Sequence, residues 1–399
     1  MFYNRPYLPR LAFAPKHTAP RGDTLIVIFL RGAADALNVV VPHAESGYYR
    51  ARPTIAIPRP DDSNVERRLR AVDLDGFFGL HPALEPLHAV WQAEHLGIIH
   101  ACGAPDDSRS HFRAMELMER GVEEDQGPAS GWIGRHLATI DTGNHSPLRA
   151  IGFGEYLQRS LRGSVPAAAL RSITDFHMQG DDRALQQMQA TLAAIYAADS
   201  TPLAPIGQET LEMLKTLQQL DPLGYRPAGR AYPDSDFGMS LKQVAMLIKA
   251  EAGLEVAAID VGGWDTHFTQ GGSEGLMAGL LKDLGDGLAA FHEDVVEYMN
   301  RVTVVTLSEF GRRVSENGSL GTDHGHGGLM MLMGGNIMGK KVHGDWAGLE
   351  GDLLVGPGDL AVTTDYRDIL SELCIKRLNN PNVADIFPDY TMTMRNVFA

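Results

Sequence analysis

The chain reads Val-Thr-Val-Val-Thr-Leu-Ser-Glu-Phe-Gly-Arg from Val302 to Arg312, and Gly-Thr-Asp-His-Gly-His-Gly-Gly from Gly321 to Gly328. The first five residues are β-branched, which is typical of a strand buried on both faces of a parallel sheet. We expect this strand to end near Ser308 and Glu309. Ligands of open α/β sheets bind outside the carboxyl ends of the strands, so we expect the strand to place Glu309 at the ligand-binding edge.

The second half of this stretch concentrates metal-binding side chains. Asp323, His324 and His326 supply one carboxylate and two imidazoles within four residues, a set that suits a divalent transition metal. The glycines between them let the backbone turn sharply around an ion. In the alternative interpretation both histidines are surface loop residues and Asp323 belongs to a turn. We favour the metal site, because loops that present such groups beside a strand end are commonly functional.

An earlier apolar run, Thr24 to Leu30, predicts the first central strand. Small residues follow at positions 32 to 34 and permit a tight turn, which brings Asp35 to the carboxyl edge of the sheet. If the strands are parallel, this edge also carries Glu309, so Asp35 is a candidate metal ligand. The alternative is that Asp35 caps a helix or a turn.

A third run of strand length, Leu254 to Ile259, leads into Asp-Val-Gly-Gly-Trp-Asp-Thr-His at residues 260–267. The two glycines permit close approach of the backbone, and Asp265 and His267 can face one ion across a bent loop. A plain turn is the alternative. We favour metal ligands here as well.

A helix is expected from about Ser110 to Arg120, after a loop that contains Arg109. The free backbone N–H groups at a helix N-terminus favour an anion, so a nucleophilic Ser110 would have a phosphate site beside it. The alternative is that Ser110 only caps the helix, a position that serine favours.

The remaining pattern predicts an α/β fold with a mostly parallel central sheet and helices on both faces. A helical pattern from Gly275 to Asn300 implies a β-α-β crossover into the Val302 strand. Another helix is expected from about His81 to Glu94. Residues 155–250 form a mainly helical elaboration, with helices at about 182–198, 208–220 and 238–251. We expect residues 1–22 to be an irregular arm or a truncated export signal, and residues 23–399 to be a single domain.

Composition excludes several classes of protein. The formal charge of −15 over 399 residues argues against a nucleic-acid partner, which requires clustered basic residues. Two cysteines are too few for a disulfide framework. No run of 18 apolar residues is present to span a membrane. An acidic protein can still bind an anionic substrate when metal ions supply local positive charge.

Six motifs together resemble the exported bacterial family of unknown function numbered 1501, and the match covers nearly the whole chain. They are Phe-Leu-Arg-Gly-Ala-Ala-Asp-Ala-Leu-Asn at 29–38, Arg-Ser-His-Phe at 109–112, Gly-Gly-Trp-Asp-Thr-His at 262–267, Leu-Ser-Glu-Phe-Gly-Arg at 307–312, Thr-Asp-His-Gly-His-Gly at 322–327 and Gly-Asp-Trp at 344–346. That family is similar to the alkaline phosphatase and sulfatase superfamily, which holds divalent metals around a nucleophile. The resemblance implies an alkaline phosphatase-like core.

Carried over by position, the resemblance implies specific roles. Ser110 lies where the nucleophile-bearing helix begins, and its neighbours Arg109 and His111 join it as candidate catalytic residues. The candidate metal ligands are Asp35, Asp265, His267, Glu309, Asp323, His324 and His326. The chain departs from the family in having alanine in place of glycine at positions 33, 34 and 36, and in lacking the twin-arginine export signal. The resemblance still implies a periplasmic or exported protein.

The leading hypothesis is a metal-dependent hydrolase of phosphate or sulfate esters, with Ser110 as nucleophile at a two-metal site. The expected substrate is a small anionic ester. Zinc is favoured, with manganese or calcium as alternatives. A second hypothesis is a non-catalytic exported binding or assembly protein that keeps the fold and a structural ion. A third is a metal-dependent phosphomutase or phosphonate-cleaving enzyme. The sequence leaves the oligomeric state open.

Overall fold

The computed structural model describes residues 23–124, 127–144, 146–173, 182–201, 203–219 and 224–399. The predicted N-terminal arm, residues 1–22, lies outside the described residues. Among the helices of the described part, none combines the length and the apolar composition that a membrane crossing requires.

Twelve strands occur in the described residues, and several of them are only two or three residues long. In chain order they are β1 Thr24–Leu30, β2 Val40–Val41, β3 Val72–Asp73, β4 Gly79–Leu80, β5 Leu96–Gly103, β6 Ala150–Phe153, β7 Ala168–Leu170, β8 Val256–Val261, β9 Val302–Leu307, β10 Gly328–Gly334, β11 Lys341–His343 and β12 Thr364–Asp365.

The α-helices of the same described residues range from a single turn to five turns. In chain order they are α1 Ala36–Val39, α2 Ser46–Ala51, α3 Leu87–Gln92, α4 His111–Arg120, α5 Trp132–Thr139, α6 Asp182–Ala198, α7 Leu203–Gln219, α8 Asp236–Lys249, α9 Leu276–Asp294, α10 Tyr366–Lys376 and α11 Val383–Ile386.

The central sheet is mixed but mostly parallel, in the order β11-β5-β10-β9-β1-β8-β6-β7, with β12 also paired to β5. Strands β7, β6, β8, β1 and β9 are parallel neighbours. Only β10 runs the other way among the described strands of this sheet, and it is antiparallel to both β9 and β5. A separate small sheet pairs β2, β4 and β3. The predicted α/β architecture is confirmed.

Helices cover both faces of this sheet, as predicted. Alternate residues of β1 belong to different hydrophobic clusters: Ile26 and Ile28 pack with residues of α3, α8 and α9, whereas Leu25 and Val27 pack with residues of α5, α10 and α11. This alternation follows from the period of two in a strand. The central strands are therefore buried on both sides, which explains their unbroken apolar sequence.

The stretch 155–250, predicted to be mainly helical, contains α6, α7 and α8, preceded by the short strand β7. Helix α8 packs against α9 and contributes to the same core as the central strands, so it belongs to the main body of the fold.

The predicted single helix from His81 to Glu94 is wrong. The structure has a 3-10 turn at Pro82–Leu84 and then the short helix α3. Pro86 lies between them, and it has no N–H to donate to the carbonyl four residues earlier. Pro86 therefore interrupts the helix that the apolar periodicity predicts, and a 3-10 turn and a short α-helix take its place.

Strand direction places the functional loops at one edge. Phe29 pairs with Leu307 and Leu30 with Val261, so β1, β9 and β8 end together. Strand β5 shares their direction, because both β5 and β9 are antiparallel to β10. The loops that follow these four strands therefore all begin at the same carboxyl edge.

Candidate metal centre

The carboxylate of Asp265 lies at the centre of the site, in the loop after β8. Its Oδ1 atom is 3.2 Å from Nε2 of His267, 3.2 Å from Nε2 of His324 and 3.4 Å from Nε2 of His111. The Nε2 atoms of His267 and His324 are 2.9 Å apart. The ligand atoms of His111, Asp265 and His324 all lie within 4.8 Å of one another. Four side chains from three loops thus converge on one point.

Each of the three imidazoles forms a hydrogen bond through its Nδ1 atom, the ring nitrogen that does not face Asp265. The acceptors are Glu309 Oε1 for His111 at 2.7 Å, Asp323 Oδ1 for His267 at 3.3 Å and the carbonyl of Arg109 for His324 at 2.9 Å. A neutral imidazole that donates through Nδ1 carries its lone pair on Nε2. The hydrogen-bond pattern therefore assigns three Nε2 lone pairs to the region around Asp265.

This arrangement fits a bound cation. In the assigned tautomer none of the three Nε2 atoms can donate to Asp265, so lone pairs face a carboxylate oxygen. Among the described residues, the buried Nε2 of His111 has no hydrogen-bond partner. A tetrahedral zinc ion with bonds of 2.0–2.1 Å requires ligand atoms roughly 3.3 Å apart. Four of the six distances between these donor atoms, 2.9 to 3.4 Å, lie close to that spacing.

The charge states suit metal binding. Burial alone would raise the pKa of Asp265, but the hydrogen bond from Arg312 and the charge of Arg312 lower it to about 2. The carboxylate is therefore charged at neutral pH. Burial lowers the pKa of His324, which favours the neutral ligand form. The hydrogen bond to Glu309 raises the pKa of His111, so a metal ion at Nε2, the atom that faces Asp265, has to displace a proton that this hydrogen bond favours.

Glu309 and Asp323, both predicted as ligands, contact the histidines rather than the central point. Glu309 is buried and accepts from the backbone N–H of Gly32 at 2.8 Å as well as from His111. Asp323 accepts from Asn317 at 3.0 Å and from His267. A carboxylate behind a ligating histidine fixes its orientation and raises its basicity. Both acids therefore lie behind the histidines, in the position from which a carboxylate orients a ligand.

Asp35 and His326 are not brought to the cluster. The side chain of Asp35 is buried in an ion pair with Arg52, whose nitrogens lie 2.5 and 2.9 Å from its oxygens, and it also accepts from Gln270 at 2.6 Å. His326 has its Nε2 atom 2.9 Å from the carbonyl of Ala104. Asp35 does reach the predicted edge, but its charge there is balanced by an arginine.

Ser110 is at the N-cap position of α4, as the sequence indicates, and its side chain makes no capping hydrogen bond. The residue is exposed. The backbone carbonyl of Arg109 binds His324, and His111 contacts Asp265, so both neighbours of Ser110 belong to the site. The side chain of Arg109 forms an ion pair with the buried Asp359.

Sequence reasoning missed two parts of the site. His111, expected among the catalytic residues, directs its Nε2 atom to Asp265 together with the other two histidines. Arg312 was not selected, yet its buried guanidinium donates to Asp265 at 2.7 Å. It also donates to four backbone carbonyls in the loops that surround the site, those of Gly32, Ala33, Trp264 and Thr322. The sequence feature that could have identified Arg312 is its position three residues after Glu309, in the loop after β9.

The chain belongs to the family described as "Protein of unknown function (DUF1501)", whose family model matches residues 23–369. No curated protein matches the chain.

Three solved structures are distantly similar. The C-terminal periplasmic domain of EcEptC from Escherichia coli, in complex with zinc, is 9% identical with a TM-score of 0.32, and the match covers 82% of this chain and 77% of that one. Alkaline phosphatase from the Antarctic bacterium TAB5 is 10% identical with a TM-score of 0.30, covering 79% and 92%. Phosphonate monoester hydrolase of Agrobacterium radiobacter is 8% identical with a TM-score of 0.32, covering 92% and 78%.

Proposed function

We propose that this protein is a metal-dependent hydrolase of phosphate or sulfate esters. The observation that carries the proposal is the convergence of three imidazole Nε2 atoms on the Oδ1 atom of Asp265, at the carboxyl edge of a mostly parallel sheet. This edge is where ligands of open α/β sheets bind.

Exposure favours a catalytic ion over a structural one. Structural zinc sites are closed by four protein ligands and shielded from solvent, whereas a catalytic ion must also reach its substrate, here as a fifth ligand from the solvent side. The side chain of Asp265 is 48% exposed, and those of His111, His267 and His324 are partly exposed. The non-catalytic alternative, a fold that keeps a purely structural ion, predicts a more enclosed set of ligands.

Zinc suits a set of three imidazoles and one carboxylate. The arrangement favours one ion, because the described residues bring together one group of donors, His111, Asp265 and His324, with His267 beside it, and because Asp35 is neutralised by Arg52. We therefore replace the expected two-metal site with a single centre in this proposal. A bound divalent ion would supply Lewis-acid polarisation of the ester and would lower the pKa of a nearby hydroxyl group or water.

The protein supplies charge for an anionic substrate beside this centre. Arg109 and Arg313 both approach Asp359, the second with its Nε atom 4.0 Å from Oδ1, and both side chains are partly exposed. These two guanidinium groups are the proposed contacts for an anionic substrate in an otherwise acidic protein. Planar guanidinium groups match the oxygens of phosphate and sulfate.

Ser110 is the proposed nucleophile, since its hydroxyl is exposed between two residues of the site. Its Oγ atom forms a bond to phosphorus or sulfur while the bond to the alcohol oxygen breaks, and the serine proton passes through solvent to the departing alcohol. Water then cleaves the seryl ester, which releases phosphate or sulfate and restores the hydroxyl group.

The test is hydrolysis of aryl phosphates and aryl sulfates by the zinc-loaded protein, compared with the chelated protein and with Ser110→Ala. We expect zinc-dependent turnover that Ser110→Ala reduces by at least about a hundredfold while bound zinc is unchanged. Full activity in Ser110→Ala would show that Ser110 is not the nucleophile and would favour attack by a metal-activated water. No turnover of either ester by the zinc-loaded protein would favour the non-catalytic alternative.

An exported location, implied by the family resemblance, belongs to the same proposal. Fractionation of cells that produce the native gene product should recover it in the periplasm or the medium. Recovery only with cytoplasmic markers would contradict this part of the proposal.

A further inference from the structure

Two of the most exposed aromatic side chains directly follow histidines of the candidate metal centre. Phe112 is 90% exposed and follows His111, and Phe268 is 69% exposed and follows His267. The ring centroids of Phe268 and His267 are 6.5 Å apart. Exposed single apolar residues are common, but two that directly follow histidines of the same candidate centre, one in the first turn of α4 and one in the loop after β8, call for an explanation.

Leu320 adds a third apolar side chain to this border and is 50% exposed. The loop after Phe268 pairs with the loop that contains Leu320, since the N–H of Thr269 donates to Ser319 and the N–H of Gln270 donates to Leu320, each at 2.9 Å. The pairing brings Leu320 next to Phe268 along the backbone. We call Phe112, Phe268 and Leu320 the apolar rim.

The backbone of these paired loops is held in an unfavourable conformation. Thr269 has φ of 46° and Leu320 has φ of 60°, which is the left-handed region that side chains other than glycine and asparagine avoid. Such conformations persist where the surrounding structure fixes them, and they concentrate at ligand-binding sites. The loops thus keep the side chains of Phe268 and Leu320 exposed to solvent, although their backbone is strained.

We infer that the apolar rim binds an apolar substituent of the substrate, so that the natural ester carries an aromatic or aliphatic group next to its anionic head. This inference rests on the proposed function, in which the metal centre, Arg109 and Arg313 bind the anion. An apolar group that leaves water at the rim gains affinity in proportion to the area it buries. The rim therefore selects among esters with the same anionic head.

The size of the rim favours a small substituent over a protein partner. Stable protein interfaces bury about 800 Å² on each side. Three side chains around a polar, charged centre provide far less apolar surface than that. A second copy of the chain or another protein is therefore the less suitable occupant, and the test separates it from a substrate.

The experiment compares two inert anions with the same head group, methylphosphonate and benzylphosphonate, by calorimetric titration of the full-length zinc-loaded protein. We expect benzylphosphonate to bind at least about tenfold more tightly. Phe112→Ala and Phe268→Ala should each reduce this preference several-fold, and the double variant should abolish it, while the affinity for methylphosphonate stays the same.

The matched control is Val296→Ala. Val296 is also 50% exposed, but it lies in the 3-10 segment Val296–Arg301 that leads into the opposite, amino end of β9. This variant should keep the full preference for benzylphosphonate. Bound zinc, measured for every variant, shows whether the centre is intact.

Equal affinity of the wild-type protein for the two phosphonates would overturn the inference and leave the proposed function standing. A preference that survives the double variant would do the same. Failure of the zinc-loaded protein to bind either phosphonate would contradict both the inference and the proposed function. If sedimentation shows that the phenylalanine variants change the oligomeric state and leave the preference intact, the rim is a contact between copies and the inference is overturned.

Discussion

The Nε2 atoms of His267 and His324 lie 2.9 Å apart, although each imidazole donates its other nitrogen's proton to a separate acceptor. Two neutral imidazoles with this tautomer present lone pairs to each other, which is unfavourable without a cation between them. Both atoms are also 3.2 Å from Oδ1 of Asp265. This relationship is the strongest single indication of a metal centre in the structure.

Replacement of His324 and of His326 should give opposite results, although the two residues are two positions apart. His324→Ala should remove most of the bound zinc and the zinc-dependent rise in Tm, because an ion that binds only the native state stabilises it by about 2.7 kcal/mol at a hundredfold excess over Kd. His326→Ala should keep both, since its Nε2 atom contacts a backbone carbonyl. Elemental analysis and calorimetry measure the two quantities, and equal losses in both variants would contradict the assignment.

Glu309→Gln should weaken zinc binding by about 10–100-fold without abolishing it, the usual effect of changing a partner behind a ligating histidine. The glutamine can still accept from the N–H of Gly32, so the loop after β1 should stay in place. Competition with a chelating dye gives the affinity. An unchanged Kd would show that Glu309 does not act through His111, and complete loss of zinc would favour Glu309 as a direct ligand.

Asp35→Asn should destabilise the protein while leaving its zinc content unchanged. Arg52 and Asp35 form a fully buried ion pair, and removing one charge leaves the other without compensation, which costs about 3–5 kcal/mol. Denaturant unfolding measures this loss. The double variant Asp35→Asn, Arg52→Met is the control, because it removes both charges. A fall in bound zinc in folded Asp35→Asn would restore Asp35 as a ligand.

His136 should make the protein sensitive to acid, independently of the metal centre. Burial, with a smaller effect from the charge of Arg149, lowers the pKa of His136 from 6.5 to about 4. Between these values the unfolded chain binds a proton that the native protein does not, so stability falls as the pH decreases from about 6.5 to 4.

The variant His136→Gln tests this effect. It should lose less stability than the wild type between pH 7 and pH 5, by on the order of 2 kcal/mol for a fully buried group. Urea unfolding at the two pH values gives the comparison. Equal losses in both proteins would show that His136 does not contribute to acid sensitivity.

The central strands were predictable from sequence because their residues are buried whichever face of the sheet they point to. Strand β1 occupies Thr24–Leu30 as expected, and β9 ends at Leu307, directly before the expected limit at Ser308 and Glu309. Continuous burial on both faces produces a continuous apolar or β-branched run, which local sequence shows directly. The loop positions of Asp265 and His267 followed from the same strand ends.

The composition of the centre was not predictable, because it depends on contacts between distant segments. His111 joins Asp265 only because β5 has the same direction as β9 with β10 between them. Asp35 shows the converse case. Its place at the strand edge is as predicted, but Arg52, at the end of α2, neutralises it in a contact that spacing does not reveal.

X-ray absorption at the zinc edge of the reconstituted protein tests the central claim most directly. We predict three imidazole nitrogens and at least one oxygen at about 2.0–2.1 Å, with no second metal near the first. His111→Ala, His267→Ala and His324→Ala should each remove one imidazole from the spectrum of any zinc that remains bound. Fewer than two imidazoles, or a metal neighbour at about 3.5–4 Å, would contradict a single centre built on these residues and Asp265.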